Sequence, residues 1–410
     1  MDEGIEIWYI RFHKMLFFTI LIGLIFRILL IPHPGYEADI INWSKWAQAV
    51  VDHGFIWLVG NTQYNYPPGM IYILYGLGKI NQLIPNFPLL IKGLTIFADI
   101  GIVILILKFA KQFKSNLGPF LASVYFLHPA VLFDGVVWGQ VDQLGLFLFL
   151  LAAYFLTGNR FPLSTIVFTL SFLIKLQNII FIPIYFLYVY KSYGQKAVIN
   201  SFIHMLITAI VICLPFIVYL RFDLIVYLML VNTNWYPFLS LNAFNIWWII
   251  SGLNGMKVYD TIRFIGPISA KMWGMIIFVT AYGYAGLLLG RPDKKQLVKN
   301  FFISATLIVF AFFHLLTASH ERYLFPVIGL LIILMMLIGK KKQRKLTLLY
   351  VLVSIGFFLN LYIALQLSYQ GSVYWPLTNN TTLLLTLFVS LIQIITFGWF
   401  FVEAFIKLDK

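Results

Sequence analysis

The sequence predicts an all-α polytopic membrane protein, and three observations carry that prediction. Hydrophobic residues make up 61% of the 410-residue chain and charged residues only 11%, with a mean hydropathy of +0.89. Apolar runs approaching the roughly 20 residues needed to cross a bilayer recur from end to end. The lysines and arginines, finally, collect on alternate connections between these runs. No polar stretch is long enough for a soluble domain, so residues 1–410 read as a single membrane domain. The single cysteine, Cys213, lies inside an apolar run, which leaves no disulfide and no cysteine-rich metal set. A net charge of +14 is the positive-inside bias of a membrane protein rather than a nucleic-acid surface, because of where the cations sit.

Spanning helices are expected at about 15–32, 89–109, 118–133, 143–158, 162–178, 179–190, 199–220, 270–289, 300–317, 324–339, 346–366 and 383–405. The first run lacks a small-residue cleavage site and reads as a retained helix, not a signal peptide. The run 67–84 decides the topology. It opens on Pro67 and Pro68 and carries Lys79, both features of a helix lying on the membrane surface. With that run kept outside, the inner side collects Arg11, Lys14, Lys108, Lys111, Lys114, Arg160, Lys191, Lys196, Arg291, Lys294, Lys295 and Lys299. It also gains the cluster 340–345, Lys407 and Lys410, opposed only by Asp2, Glu3, Glu6, Asp293, Glu403 and Asp409. Twelve spans with both termini cytoplasmic follow.

Two outer regions are then large. In the first, 33–88, the stretch from Tyr36 to Ala47 predicts an amphipathic helix with Ile40, Trp43, Trp46, Ala47, Val50 and Val51 on one face. The second, 221–269, is rich in interfacial aromatics: Trp235, Tyr236, Trp247 and Trp248. The chain has no solenoid repeat and no GxxxxGK[ST] phosphate loop.

Most ionisable residues outside the lysine-rich inner loops fall on the outer side, and such groups near hydrocarbon are unfavourable unless they do something. Asp39 is either a first-turn carboxylate that complements a helix dipole or a general base for an incoming hydroxyl. Asp99, midway along its span, either pairs with Lys92 or another buried base for packing or faces a wet cavity. The connection 128–143 carries Asp134, Trp138, Gln140 and Asp142 with Gly135 and Gly139. It is either a self-satisfied hairpin or the lining of a cavity. In the turn 317–323, His320 and Arg322 suit a phosphate, while an Arg322–Glu321 or headgroup anchor is the plainer alternative. Lys175 either snorkels or adds a second cation to the same phosphate. The seven histidines are scattered without HExxH spacing. No metal site is expected, although Asp39 with Asp99 or Asp142 has the hard oxygens a divalent ion takes.

The order of motifs resembles a known group. An early outer-loop Asp with W-x-x-W-A (43–47), Y-P-P-G (66–69), F-A-D-I (97–100) and V-W-G-Q-V-D (137–142) is followed by L-N-A-F-N-I-W-W (241–248) and H-E-R-Y-L-F-P (320–326). Together they resemble the GT-C superfamily of membrane glycosyltransferases. More narrowly, they resemble bacterial and archaeal relatives of the mannosyltransferase that adds the second mannose of glycosylphosphatidylinositol anchors. The chain departs from that pattern at His128, where Asn precedes the Pro, and at Ala38, where Gly precedes the Asp. The resemblance implies a GT-C fold of about 12 spans with juxtamembrane helices in the first extracytoplasmic loop. It implies a polyprenyl-phosphate sugar as donor, no cofactor, inversion at the anomeric carbon, and Asp39 as catalytic base. It also implies Arg322 and His320 at the donor phosphate.

The residues themselves are compatible with such chemistry. A single displacement needs one base behind the acceptor hydroxyl and positive charge on the departing phosphate. Asp39 supplies the first, and Arg322, Lys175 and His320 the second. Glu37, Asp99, Trp138, Gln140, Asp142, Asn242 and Asn245 are the expected sugar- and acceptor-binding groups. A glycan or glycolipid acceptor in the cell membrane is expected, with the site facing the extracytoplasmic side. A polyprenyl-linked sugar flippase and an oligosaccharide ligase or polymerase are the alternatives.

Overall fold

The computed structural model describes residues 3–231, 235–290, 294–368 and 379–406, with side chains described except at 3–13, 294–295, 341, 368, 379–380 and 405–406. Of the residues counted for topology, Asp2, Glu3, Glu6, Arg11, Arg291, Asp293, Lys294, Lys295, Lys341, Lys407, Asp409 and Lys410 lie outside the described side chains. The contacts group the chain into two compact units.

The first unit holds α1 (Glu3–Leu30), α2 (Glu37–His53), α3 (Phe55–Asn61), α4 (Pro68–Leu83), α5 (Phe87–Phe113), α6 (Gly118–Phe126) and α7 (Pro129–Leu132). A π-helical turn (Phe133–Trp138) leads to α8 (Asp142–Thr157) and α9 (Phe161–Ile174). After α10 (Ile182–Tyr193), most of which belongs to the second unit, α11 (Gln195–Val218) and α12 (Phe222–Leu230) complete the first. Here α2 buries Ile40, Trp43, Ala47 and Val50, the predicted face, with Trp46 packed at its edge. That face meets Met70, Ile71 and Leu74 of α4 and Phe87 and Ile91 of α5. Contact is close because Gly78 leaves no side chain between α4 and α2: a Cβ there would meet the Ala47 carbonyl at 2.6 Å. With 16 residues, α4 is shorter than a bilayer crossing.

The expected run 118–133 is not one straight helix. Its two halves bend by 47° at His128-Pro129, because Pro129 has no N–H to give the ladder and its ring crowds the preceding turn. The His128 ring accepts the Ala130 N–H at 3.2 Å and caps the second half.

The second unit contains β1 (Ser240–Leu241), α13 (Ile246–Ile250), β2 (Arg263–Ile265), β3 (Ile268–Ser269) and α14 (Ala270–Leu288), then α15 (Lys294–Leu315), β4 (Ser319–His320), α16 (Phe325–Leu337), α17 (Lys340–Ser368) and α18 (Asn379–Ile406). β1 pairs in parallel with β4, and β2 pairs antiparallel with β3. α15 and α16 are the buried centre: every side chain from Val327 to Met336 on α16 is enclosed.

Six described helices are long and apolar enough to cross a membrane, or seven if the bent pair is counted as one span. α11 shows why water is the wrong solvent. Phe202, Ile203, Leu206, Ile207 and Val211 are all exposed along it, and each would be unfavourable in water by about 25 cal/mol per Å² of apolar surface. The protein is an all-α polytopic membrane protein. α8, α9 and α16, at 16, 14 and 13 residues, are shorter than a crossing of about 20.

Candidate functional site

Asp39 sits in the first turn of α2, half-buried, beside an exposed Glu37. Tyr36 is the N-cap and contributes no side-chain cap, so the two carboxylates are the groups that complement the positive helix end. What fixes Asp39 is the 137–142 stretch. The Trp138 carbonyl accepts the Tyr36 N–H at 3.0 Å. The Gln140 amide donates to Asp39 Oδ2 at 2.5 Å, and Gln140 itself is fully buried. Two left-handed glycines permit this approach. Gly139 has φ +88° and lies against Ile40; Gly35 has φ +73°, and a Cβ on it would meet the Trp138 carbonyl at 2.6 Å. Trp138 is 1% exposed, so its indole packs while its backbone docks α2.

Two residues beyond Gln140, Asp142 begins α8 and pairs with Lys175 at 2.9 Å. Both side chains are 6% exposed, so Lys175 neither snorkels nor stands alone; it is an internal cation with a carboxylate on it. It terminates α9, and its alkyl stem lies against Gly145, where an added Cβ would stand 3.0 Å from Lys175 Cγ. The Y-P-P-G stretch closes on the same corner. Pro68 opens α4 at a position that needs no N–H. Gly69 then rests on the Leu173 carbonyl, 2.7 Å from where a Cβ would stand. A half-buried carboxylate with an amide on it and a buried ammonium–carboxylate pair are thus attached to one short stretch of chain.

Asp99 proves to be a packing group. It is fully buried, accepts Arg27 Nη2 at 2.7 Å and Nε at 3.2 Å on Oδ2, and accepts the Tyr125 hydroxyl at 2.9 Å on Oδ1. With both oxygens engaged inside the helix bundle, it is held as an ion pair rather than presented to a sugar. Its partner is Arg27, not Lys92. Lys92 instead donates to the carbonyls of Ile31 and His33, in the connection that follows α1. Arg27 also donates to the Phe126 carbonyl at 2.8 Å and lies over the Phe126 ring at 3.8 Å.

In the second unit the turn after β4 places Glu321, fully buried, between His320 and Arg322. Arg322 Nη1 donates to Glu321 Oε1 at 2.8 Å; His320 Nδ1 lies 3.8 Å from Oε2, an ion-pair separation. Burial would raise the Glu321 carboxyl, but the His320 and Arg322 groups outweigh it and leave it below its ordinary value. His320 and Arg322 keep 17% and 12% of their side chains exposed. Asn242 follows β1 with φ 59° and bridges to His320. Its carbonyl accepts the Asn360 amide at 2.7 Å. Asn245 is a helix cap: its Oδ1 accepts the Trp247 and Trp248 N–H groups, and its Nδ2 donates to the Phe313 carbonyl at 2.7 Å. It is fully buried and hydrogen-bonded through both its oxygen and its nitrogen.

Among the described residues, no three His, Cys, Asp or Glu side chains gather as a metal set. Compared with known proteins, the chain matches no protein-family model and no curated protein.

Proposed function

We propose that the protein is an inverting glycosyltransferase of GT-C type that moves a hexose, most simply mannose, from a polyprenyl-phosphate sugar to a glycan or glycolipid hydroxyl. The observation that carries the proposal is the grip of the 137–142 stretch on Asp39, with Gln140 oriented by the same backbone that docks Tyr36. A base must keep one lone pair aimed at its proton. The buried Gln140 amide holds one oxygen of Asp39 and so fixes the orientation of the carboxylate.

In the proposed step the acceptor hydroxyl gives its proton to Asp39 while its oxygen forms a bond to the anomeric carbon. The bond from that carbon to the phosphate oxygen breaks on the opposite face, and the lipid phosphate leaves with the electron pair. No general acid is required, because the leaving group departs as an ionised phosphate. In the first unit Lys175 is proposed as a cation that favours that departure, with Trp138, Gln140 and Asp142 for the sugar; in the second unit Arg322 and His320 are proposed as phosphate-binding cations and Asn242 as a sugar-binding group. About twelve crossings, both termini cytoplasmic and an extracytoplasmic site belong to the same proposal. It rests on the motif resemblance together with the Asp39–Gln140 contact.

The test is transfer from a panel of polyprenyl-phosphate hexoses to membrane glycolipids by purified protein. Asp39→Asn is expected to lower turnover by at least about 100-fold, the lower range for a general base, while donor binding persists. Turnover equal to that of the parent would refute the assignment. A protein that binds every donor but consumes none in detergent would be carrying lipid-linked sugars rather than transferring them.

A further inference from the structure

We propose that the second unit holds a binding site for an anionic phospholipid at the junction of α16, α17 and α18. A small hollow of about 20 Å³, partly open to its surroundings, lies there. Lys342 and Lys345 stand on one side of it; Leu346, Leu349, Trp399 and Phe400 supply apolar walls. One carboxylate, Glu403, also lines it and contacts Lys345 at 3.2 Å. Glu403 takes one of the three N–H donors of the Lys345 ammonium, and the Lys345 side chain stays 55% exposed.

Charge decides what fits. Five of the six residues from 340 to 345 are cations: Lys340, Lys341, Lys342, Arg344 and Lys345. α17 begins at Lys340, so they crowd the end of a helix where the backbone dipole is already positive and cations are disfavoured. A single glutamate does not balance them. A phosphodiester would relieve both the mutual repulsion and the dipole, and basic pockets between membrane helices recognise phospholipid headgroups in this way.

A soluble anion would use only the lysines. The hollow itself offers hydrocarbon: Leu346 and Leu349 of α17 and Trp399 and Phe400 of α18 wall it, so a lipid whose phosphate meets Lys342 and Lys345 has apolar contact on both helices. Phosphatidylcholine carries the same phosphate but adds a quaternary ammonium, which the cluster repels, so the site selects a headgroup with net negative charge.

The experiment is thermal unfolding of the full-length protein in detergent with phosphatidylglycerol, phosphatidylcholine or inorganic phosphate at equal phosphate. Native mass spectrometry counts the lipid retained. Phosphatidylglycerol is expected to raise the midpoint above both other additions and to be retained at one per chain. In Lys342→Gln/Lys345→Gln, the apparent affinity is expected to fall at least about tenfold, since each lysine contributes separately. Lys340→Gln/Arg344→Gln removes the same charge away from the hollow and is expected to keep the shift. Each variant is compared with its own lipid-free midpoint, so a loss of intrinsic stability does not obscure the result. Equal shifts from the two lipids, an equal shift from inorganic phosphate, or equal losses in the two double variants would overturn the proposal.

Discussion

Removing one half of the Arg27–Asp99 pair should be far more damaging than removing both. Asp99 accepts three hydrogen bonds, two from Arg27 and one from Tyr125, with no exposed surface on either charged side chain. Asp99→Leu leaves a guanidinium that cannot shed its proton in a protein. Loss of one partner of such a buried pair costs about 3–5 kcal/mol. Arg27→Met leaves a carboxyl that can take up a proton and become neutral. Its cost is therefore closer to the roughly 1–3 kcal/mol of unsatisfied hydrogen bonds. In Arg27→Met/Asp99→Leu no charge is stranded, and an apolar pair of similar volume restores packing at nearly neutral cost. Summed single effects of about 4–8 kcal/mol against a double near zero give a coupling of at least about 3 kcal/mol. Equilibrium unfolding of the four proteins in mixed micelles measures this directly. Single effects that simply add would show that Arg27 and Asp99 do not stabilise one another, and would refute the internal-pair assignment.

Gly35→Ala is expected to destabilise the first unit by about 1–2 kcal/mol for the left-handed φ alone, with more from the 2.6 Å approach to the Trp138 carbonyl. Faster proteolysis near Tyr36 than in Gly76→Ala, where the backbone is helical and a Cβ would meet nothing, is the readout. Glu321 predicts a pH dependence with a definite sign. Its folded carboxyl lies below the ordinary 4.5, so its contribution is complete above that value and is lost as pH falls through the folded value. Melting midpoints compared between parent and Glu321→Gln from about pH 7 to pH 3 should converge toward the acid end; a constant gap would contradict the shift.

Much of the helical frame was legible in the sequence because burial in a bilayer imposes long apolar runs, and α2 was legible because Ile40, Trp43, Ala47 and Val50 recur at helical spacing. The His128-Pro129 bend had a signal that the apolar run concealed. Long-range partners were not legible. Gln140 and Asp39 are 101 residues apart and Arg27 and Asp99 are 72 apart, and nothing local relates either pair. Lys92 looked like the natural counter-ion for Asp99 because it lies two turns away on the same helix. Arg27 was the better candidate on physical grounds, as an arginine inside an apolar run with no other reason to be there. Asn245, directly before the apolar residues of α13, carries a helix-start signal, and it caps that helix.

Surface connections usually gain and lose residues with little consequence. The 137–142 stretch has no such latitude, because Trp138 and Gln140 fasten it to the entry of α2 while Asp142 fastens it to Lys175. One added residue between those anchors would carry either the amide away from Asp39 or the carboxylate away from the ammonium. This connection is a spacer of fixed gauge, and its length is as much a determinant of the site as the side chains it bears.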